Sequence, residues 1–164
     1  MSDSDLPSVS GADLIVRIAA RGDGVTADGR HVPASAPGDK LLPDGGISWG
    51  PHHVTPECRH VPECGGCQLQ HLSGEAYADY VRDRVAGALT GQGIAAQEIL
   101  PAHISPPSTR RRASLRAMRL GKSVHVGFST QASHRVVDLH ECLVLDPALF
   151  TLIAPLRALF GSFL

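Results

Sequence analysis

Apolar and polar positions alternate in short stretches near the start of the chain, take a helical period in the middle, and return to alternation before a last helical stretch. Between residues 14 and 32 the apolar runs are broken by Gly22-Asp23-Gly24 and by Asp28-Gly29. This predicts a strand over 14–19, a turn, and a two-residue hairpin leading into a strand over 30–32. Pro37-Gly38 turns the chain again, and a loop containing Pro, Gly and His runs from 43 to 66. From residue 74, Tyr77, Tyr80, Val81, Val85, Ala88 and Leu89 recur at three- and four-residue steps. They form the stripe of a docking helix capped by Ser73, helped by Glu75 at its positive end and stopped near Gly91 or Gly93.

Pro101, Pro106 and Pro107 mark an extended crossing. Beyond it Ala113, Leu115 and Ala117 alternate with Ser114, Arg116 and Met118 up to a turn at Leu120-Gly121-Lys122, and strands are expected over 123–128 and 135–139, an antiparallel meander. Asp146-Pro147 pairs an N-cap with a first-turn proline and opens a helix carrying Leu149, Leu152, Ile153, Leu156, Leu159, Phe160 and Phe163. So wide an apolar face packs either on the chain's own sheet or, the favoured expectation, on a continuation beyond it. The fold class is α+β, in three segments: a β-module over 11–48, a central domain over 49–145 and a helix over 146–164.

The 164 residues are 43% hydrophobic and 19% charged, which suits one ordinary domain or two small ones and leaves little room for a large enzyme. No run approaches the ~18 apolar residues of a membrane span, and the polar, frayed start over 1–10 lacks the features of a secretory signal, so the chain is expected to be cytoplasmic with no membrane partner. Charge is uneven. From Ile99 to Val137 there is no acidic residue, while Arg110, Arg111, Arg112, Arg116, Arg119, Lys122 and Arg135 all fall there. The formal net charge of −1 hides a basic segment in an acidic chain, the pattern of a face that meets a polyanion or of a solvated strand surface.

Cysteines decide the chemistry. Cys58, Cys64 and Cys67 cluster in one loop, with Gly65-Gly66 between the last two, and Cys142 stands far away. In a reducing compartment such a set points to a metal before a disulfide framework, and it does not resemble core filling. Tetrahedral zinc and an iron–sulfur cluster both take four thiolates, but zinc ligands usually come as two close pairs. Gaps of five, then two, then a long one suit a cluster better. The paired glycines let the backbone fold tightly and aim its N–H groups at a cofactor, and a remote fourth ligand ties the loop to the meander.

Three stretches, CRHVPECGGCQLQHL, TRRRASLRAMRLGKSVHVGFSTQASHRVVDLHECLVLDP and VRIAARGDGVTADGRHVPASAPGD, together resemble the bacterial RNA uracil-5 methyltransferases, over nearly the whole chain. The likeness is strongest to members that modify 23S ribosomal RNA and carry a four-iron four-sulfur (4Fe-4S) cluster. It implies that Cys58, Cys64, Cys67 and Cys142 bind the cluster. It also implies that residues 12 to about 48 are a shortened TRAM domain, an OB-like β-module that holds RNA, whose last strands are expected to be missing where LLPDGGISWGPHHVTPEC follows. Arg110, Arg111 and Arg112, which open the central domain, become candidate RNA contacts, since guanidinium groups grip phosphates and stack on bases. One or two of them are also expected to make ion pairs that hold the cluster loop.

In that family a Rossmann-like domain binds S-adenosylmethionine, a cysteine attacks C6 of the uracil, C5 accepts the methyl group and an acidic base removes the C5 proton. Few residues follow Cys142, and no fifth cysteine or glycine-rich motif after a strand is present, so the chain is expected to lack that domain and to be inactive alone. The expected function is the RNA-binding and iron–sulfur portion of a 23S rRNA (uracil-5-)-methyltransferase, monomeric when complete. The alternative is a free-standing zinc- or cluster-containing RNA-binding module without catalysis; electron transfer is weaker, as nothing suggests a redox partner. Gly22-Asp-Gly24-Val-Thr-Ala27 fits a dinucleotide fingerprint but precedes a hairpin where a helix is needed, and reads as turn chemistry. His60 and His71 could each replace a thiolate.

Overall fold

A computed structural model describes residues 11–131 and 133–163; the start expected to be frayed, 1–10, lies outside them. The described chain divides into two compact units. Unit 1 takes in residues up to Thr55 together with Leu69–His103, and unit 2 takes Pro56–Gln68 and residues from Ile104 onward. These units cut the chain differently from the segments 11–48, 49–145 and 146–164. The cysteine loop leaves the β-module at Thr55 and the chain returns to it at Leu69.

In unit 1, β1 (Ile15–Ile18), β2 (Gly24–Thr26) and β3 (His31–Val32) form an antiparallel sheet in sequence order. Ile15 faces Thr26 and Gly24 faces Val32, with a register shift between Ile15 and Arg17. Gly22 and Gly29 make the turns with positive φ, a conformation glycine adopts without steric cost. The fingerprint-like stretch is thus turn and strand. A Cβ on Gly24 would lie 2.0 Å from Ser35 Oγ, so that glycine serves close packing. Residues 38 and 39 extend the sheet edge, where Ile15 N–H donates to the Asp39 carbonyl (2.8 Å) and Gly38 N–H to that of Ile15 (2.8 Å).

A short hairpin follows, β4 (Lys40–Leu41) against β5 (Ile47–Ser48), turned by Gly45 with φ of 84°. It lies partly where the sequence reading placed loop. Helix α1 (Gly74–Gly91) starts as expected, the Ser73 side chain accepting the Ala76 N–H at 3.2 Å. Its first turns pack Ala76 and Tyr77 with Leu72, Ala36, Ile18 and Leu69. Further along the stripe Tyr80, Val81 and Leu89 are half-buried, the Tyr80 hydroxyl donating to the Ala20 carbonyl at 3.2 Å, while Val85 and Ala88 are exposed. Spacing sets which face is apolar; it does not set how far along that face a partner extends.

In unit 2, β6 (Arg116–Leu120) and β7 (Ser123–Gly127) form the hairpin expected around Gly121. The strand expected over 135–139 is irregular. Val137 N–H and Leu139 N–H donate to the carbonyls of Phe128 (2.9 Å) and Val126 (3.1 Å), but Val126 N–H donates to the Asp138 side chain (3.1 Å). A carboxylate therefore stands where a regular ladder has a backbone carbonyl. Gly127 fits beneath this segment, since a Cβ there would lie 2.0 Å from the Val137 carbonyl oxygen. The last helix is two pieces, α2 (Pro147–Phe150), capped by Asp146, and α3 (Ile153–Phe163). Pro155 falls in the first turn of α3, where its missing N–H costs nothing, and it disfavours a continuous helix through the preceding turn.

The core of unit 2 joins Cys64, Val124, Val126, Val137, Leu139 and Ile153, with Phe128, Phe150 and Phe160 packed against it. The apolar face of α3 is therefore divided. Ile153 and Phe160 close on the chain's own sheet, as the first of the two expectations has it, while Leu152, Leu159 (49% exposed) and Phe163 (78% exposed) face outward.

Candidate metal centre

All four cysteines lie in unit 2, and among the described residues none is in a disulfide. The loop is built from close backbone contacts. Cys64 N–H donates to the His60 carbonyl (2.8 Å), Gly65 N–H donates to the Ser129 carbonyl (2.9 Å), and Cys64 pairs with Thr130 in an antiparallel bridge. Both glycines are needed for packing: a Cβ on Gly65 would sit 2.6 Å from the Ser129 carbonyl oxygen, and one on Gly66 would sit 2.8 Å from the Phe128 ring. Only part of the N–H expectation holds, because the Gly65 N–H is taken by Ser129 and the Gly66 N–H alone faces the Cys64 sulfur.

Cys142 is drawn in by its neighbours. Glu141 accepts the Arg59 backbone N–H through Oε1 (3.0 Å) and pairs with Arg59 Nε through Oε2 (3.1 Å). His140 N–H donates to His60 Nε2 at 3.3 Å. These contacts join the residues beside Cys58 to the residues beside Cys142. The Arg59 N–H, with burial opposing and the guanidinium helping, holds the Glu141 carboxyl below the usual Glu range. Sequence reasoning missed this latch because the partners are 82 residues apart; adjacency to a cysteine was the one clue.

The thiols interact. Burial pushes the Cys64 thiol above its ordinary value, the Gly66 N–H opposes this, and negative charge on Cys67, Cys58 and Cys142 adds to the rise. Repulsion among four thiolates is what a bound cation or cationic core relieves. Thr130, bridged to Cys64, keeps a buried hydroxyl without a hydrogen-bond partner among the described residues. The donor set fits an iron–sulfur cluster in kind and number. No three His, Cys, Asp or Glu side chains among the described residues surround a point that one metal ion could occupy. In a cubane cluster each thiolate binds a different iron, so four donors need not meet at one point. Of the two histidines, His60 lies in the same unit as the cysteines, its Nε2 accepting the His140 N–H, while His71, in unit 1, is buried against the Ser35 carbonyl (3.2 Å). Desolvation lowers the His71 pKa.

Arg110, Arg111 and Arg112 are exposed, and among the described residues none pairs with a carboxylate. Among the described residues the expected ion pairs to the cysteine loop are not found; the backbone around Arg110 joins the 143–146 segment instead. Ser108 N–H and Arg110 N–H donate to the carbonyls of Leu143 and Val144 (2.9 Å each), and Asp146 N–H donates to that of Arg110 (3.0 Å). The arginine run is thus laced to the segment that carries Cys142, leaving three guanidinium groups for solvent or a ligand.

No family model matches the chain. It is similar to an uncharacterized RNA methyltransferase of Zymomonas mobilis, 43% identical over 150 residues that make up 92% of this chain and 38% of that protein. A second uncharacterized RNA methyltransferase, from Caulobacter vibrioides, is 37% identical over 168 residues, 93% of this chain and 40% of the relative. The 23S rRNA (uracil(1939)-C(5))-methyltransferase of Halomonas elongata is 44% identical over 107 residues, covering 63% of this chain and 22% of that enzyme. The chain spans about two fifths of the length of the first two relatives. Over most of its length the chain is thus homologous to part of bacterial proteins named as RNA methyltransferases, 23S rRNA uracil-C5 methyltransferases among them.

Proposed function

We propose that this chain is the RNA-gripping, iron–sulfur portion of a 23S rRNA uracil-C5 methyltransferase, with methyl transfer from S-adenosylmethionine carried out by the further length that its relatives possess. The observation that carries this reading is the gathering of four cysteines into one compact unit by the Arg59–Glu141 and His140–His60 contacts. Cys58, Cys64, Cys67 and Cys142 hold a 4Fe-4S cluster. When bound, it supplies iron–thiolate bonds that fasten the loop to the 140–146 segment and neutralise the thiolates. Arg110, anchored through its backbone to that same segment, and its neighbours Arg111 and Arg112 contact RNA phosphates and position the RNA without reading its sequence. The β-module of unit 1 is a shortened TRAM-like domain that adds RNA contact area. The setting is the cytoplasm, where ribosomal RNA is made and modified.

Anaerobic purification followed by visible absorption and iron, sulfide and zinc analysis tests the cofactor. A brown protein with iron and acid-labile sulfide in equal amounts is expected. A colourless protein with one zinc per chain overturns the cluster and leaves the free-standing zinc-bearing module as the better account.

A further inference from the structure

We propose that Trp49 is a stacking platform for an unpaired nucleobase of bound RNA, a site in unit 1 separate from the arginine run; the inference rests on the RNA-binding reading above. Trp49 is the chain's sole tryptophan and is 58% exposed. One face of its indole lies on the His53 ring, with centroids 4.1 Å apart and planes 7° from parallel. The exposure that remains leaves ring surface open to a planar ligand.

The support beneath it is rigid. His53 Nδ1 is 2.6 Å from Asp39 Oδ2, and both side chains are almost wholly buried. The same carboxylate accepts the N–H groups of Ala36 and Gly50 at 2.7 Å each. Behind His53 stands the buried His71 ring, tilted 53° at a centroid distance of 5.7 Å. Gly50, next to Trp49, runs so close to Gly38 that a Cβ would lie 2.3 Å from its carbonyl group, which fixes the backbone at the base of the indole. An indole held flat at the surface by a buried His–Asp contact is not packing a core, and its exposed apolar area is unfavourable unless something covers it. Its orientation is set before any ligand arrives, so little ordering entropy is lost on binding. A single flat face backed by a parallel ring selects a planar partner over an aliphatic side chain, and every base has such a face.

The test uses the full chain and oligouridine RNA. Binding is followed by anisotropy of labelled RNA and, separately, by indole emission on titration with unlabelled RNA, excited where tyrosine does not absorb. RNA is expected to quench the emission, Trp49→Leu to weaken binding by about 5- to 150-fold, the range of one stacked base, and Trp49→Phe to fall between. Circular dichroism checks that the variants fold. Binding without quenching, or a Trp49→Leu variant that binds as the parent does, overturns the platform and leaves the RNA reading standing. No anisotropy change with the parent protein overturns both.

Discussion

Replacing Asp138 tests how unit 2 holds its irregular third segment. The carboxylate accepts the Val126 N–H at 3.1 Å and Arg157 Nη2 at 2.7 Å, and the same guanidinium reaches the Leu139 carbonyl at 3.2 Å. Asp138→Ala leaves a backbone N–H beside a buried valine unpaired, at a cost of ~1–3 kcal/mol. Arg157 is 30% exposed and keeps Leu139, so losing the ion pair adds ~1 kcal/mol. The sum is about 2–4 kcal/mol. Asp138→Asn keeps an acceptor and loses only charge assistance, ~1 kcal/mol. Burial works to raise the Asp138 carboxyl, but Arg157, the Val126 N–H and the charge of His125 together hold it below the usual Asp range. A depressed folded value means the ionic contribution is complete above the unfolded carboxylate value and disappears as pH falls through the lowered folded one. Urea denaturation near neutral pH should therefore separate parent, Asn and Ala variants in that order, and the parent–Asn gap should close in acid as pH falls through the lowered folded value. An Ala variant within ~0.5 kcal/mol of the parent, or an Asn variant as unstable as Ala at neutral pH, would falsify the account of this contact.

Other expectations follow from the same contacts. Gly127→Ala forces a Cβ against the Val137 carbonyl and should destabilise by ~1–3 kcal/mol or more in the same denaturation assay; an unchanged midpoint counts against the close approach. Cys142→Ser should lose the visible chromophore and bound iron and lower the melting temperature, and an unaltered spectrum removes Cys142 from the ligand set. Replacing Arg110, Arg111 and Arg112 together with Ala should weaken RNA binding and reduce the log–log salt slope by roughly 2–3, since each phosphate contact accounts for ~0.7–0.9; an equal slope denies them that role.

Local chemistry was legible in the sequence and long-range chemistry was not. Ser73, Asp146-Pro147 and Gly121 announce their caps and turn because those signals act within four residues. The broken last helix was missed because one proline was outweighed by a long apolar period. The 135–139 segment has strand composition, yet Asp138 takes a ladder acceptor's place, and no pattern marks an aspartate that points inward. Cysteine spacing suggested the ligand set, whereas the pairing of Arg59 with Glu141 and the bridge of Thr130 to Cys64 became visible only in the fold. Trp49 stands outside every periodic stretch, and neither its exposure nor its stacking on His53 can be inferred from residue order.

The three-cysteine loop is an excursion from one unit into the other, and its two ends are pinned where it departs. His53 bridges Leu72, and Val54 N–H donates to the His71 carbonyl at 2.8 Å. The polypeptide passes between units three times, after Thr55, after Gln68 and after His103. No single cut can then release either unit whole: severing the chain at 103 sends Cys142 away from Cys58, Cys64 and Cys67, while severing it at 55 parts α1 from the sheet it docks on. A break at any one of the three crossings therefore divides the residues of at least one unit between two fragments.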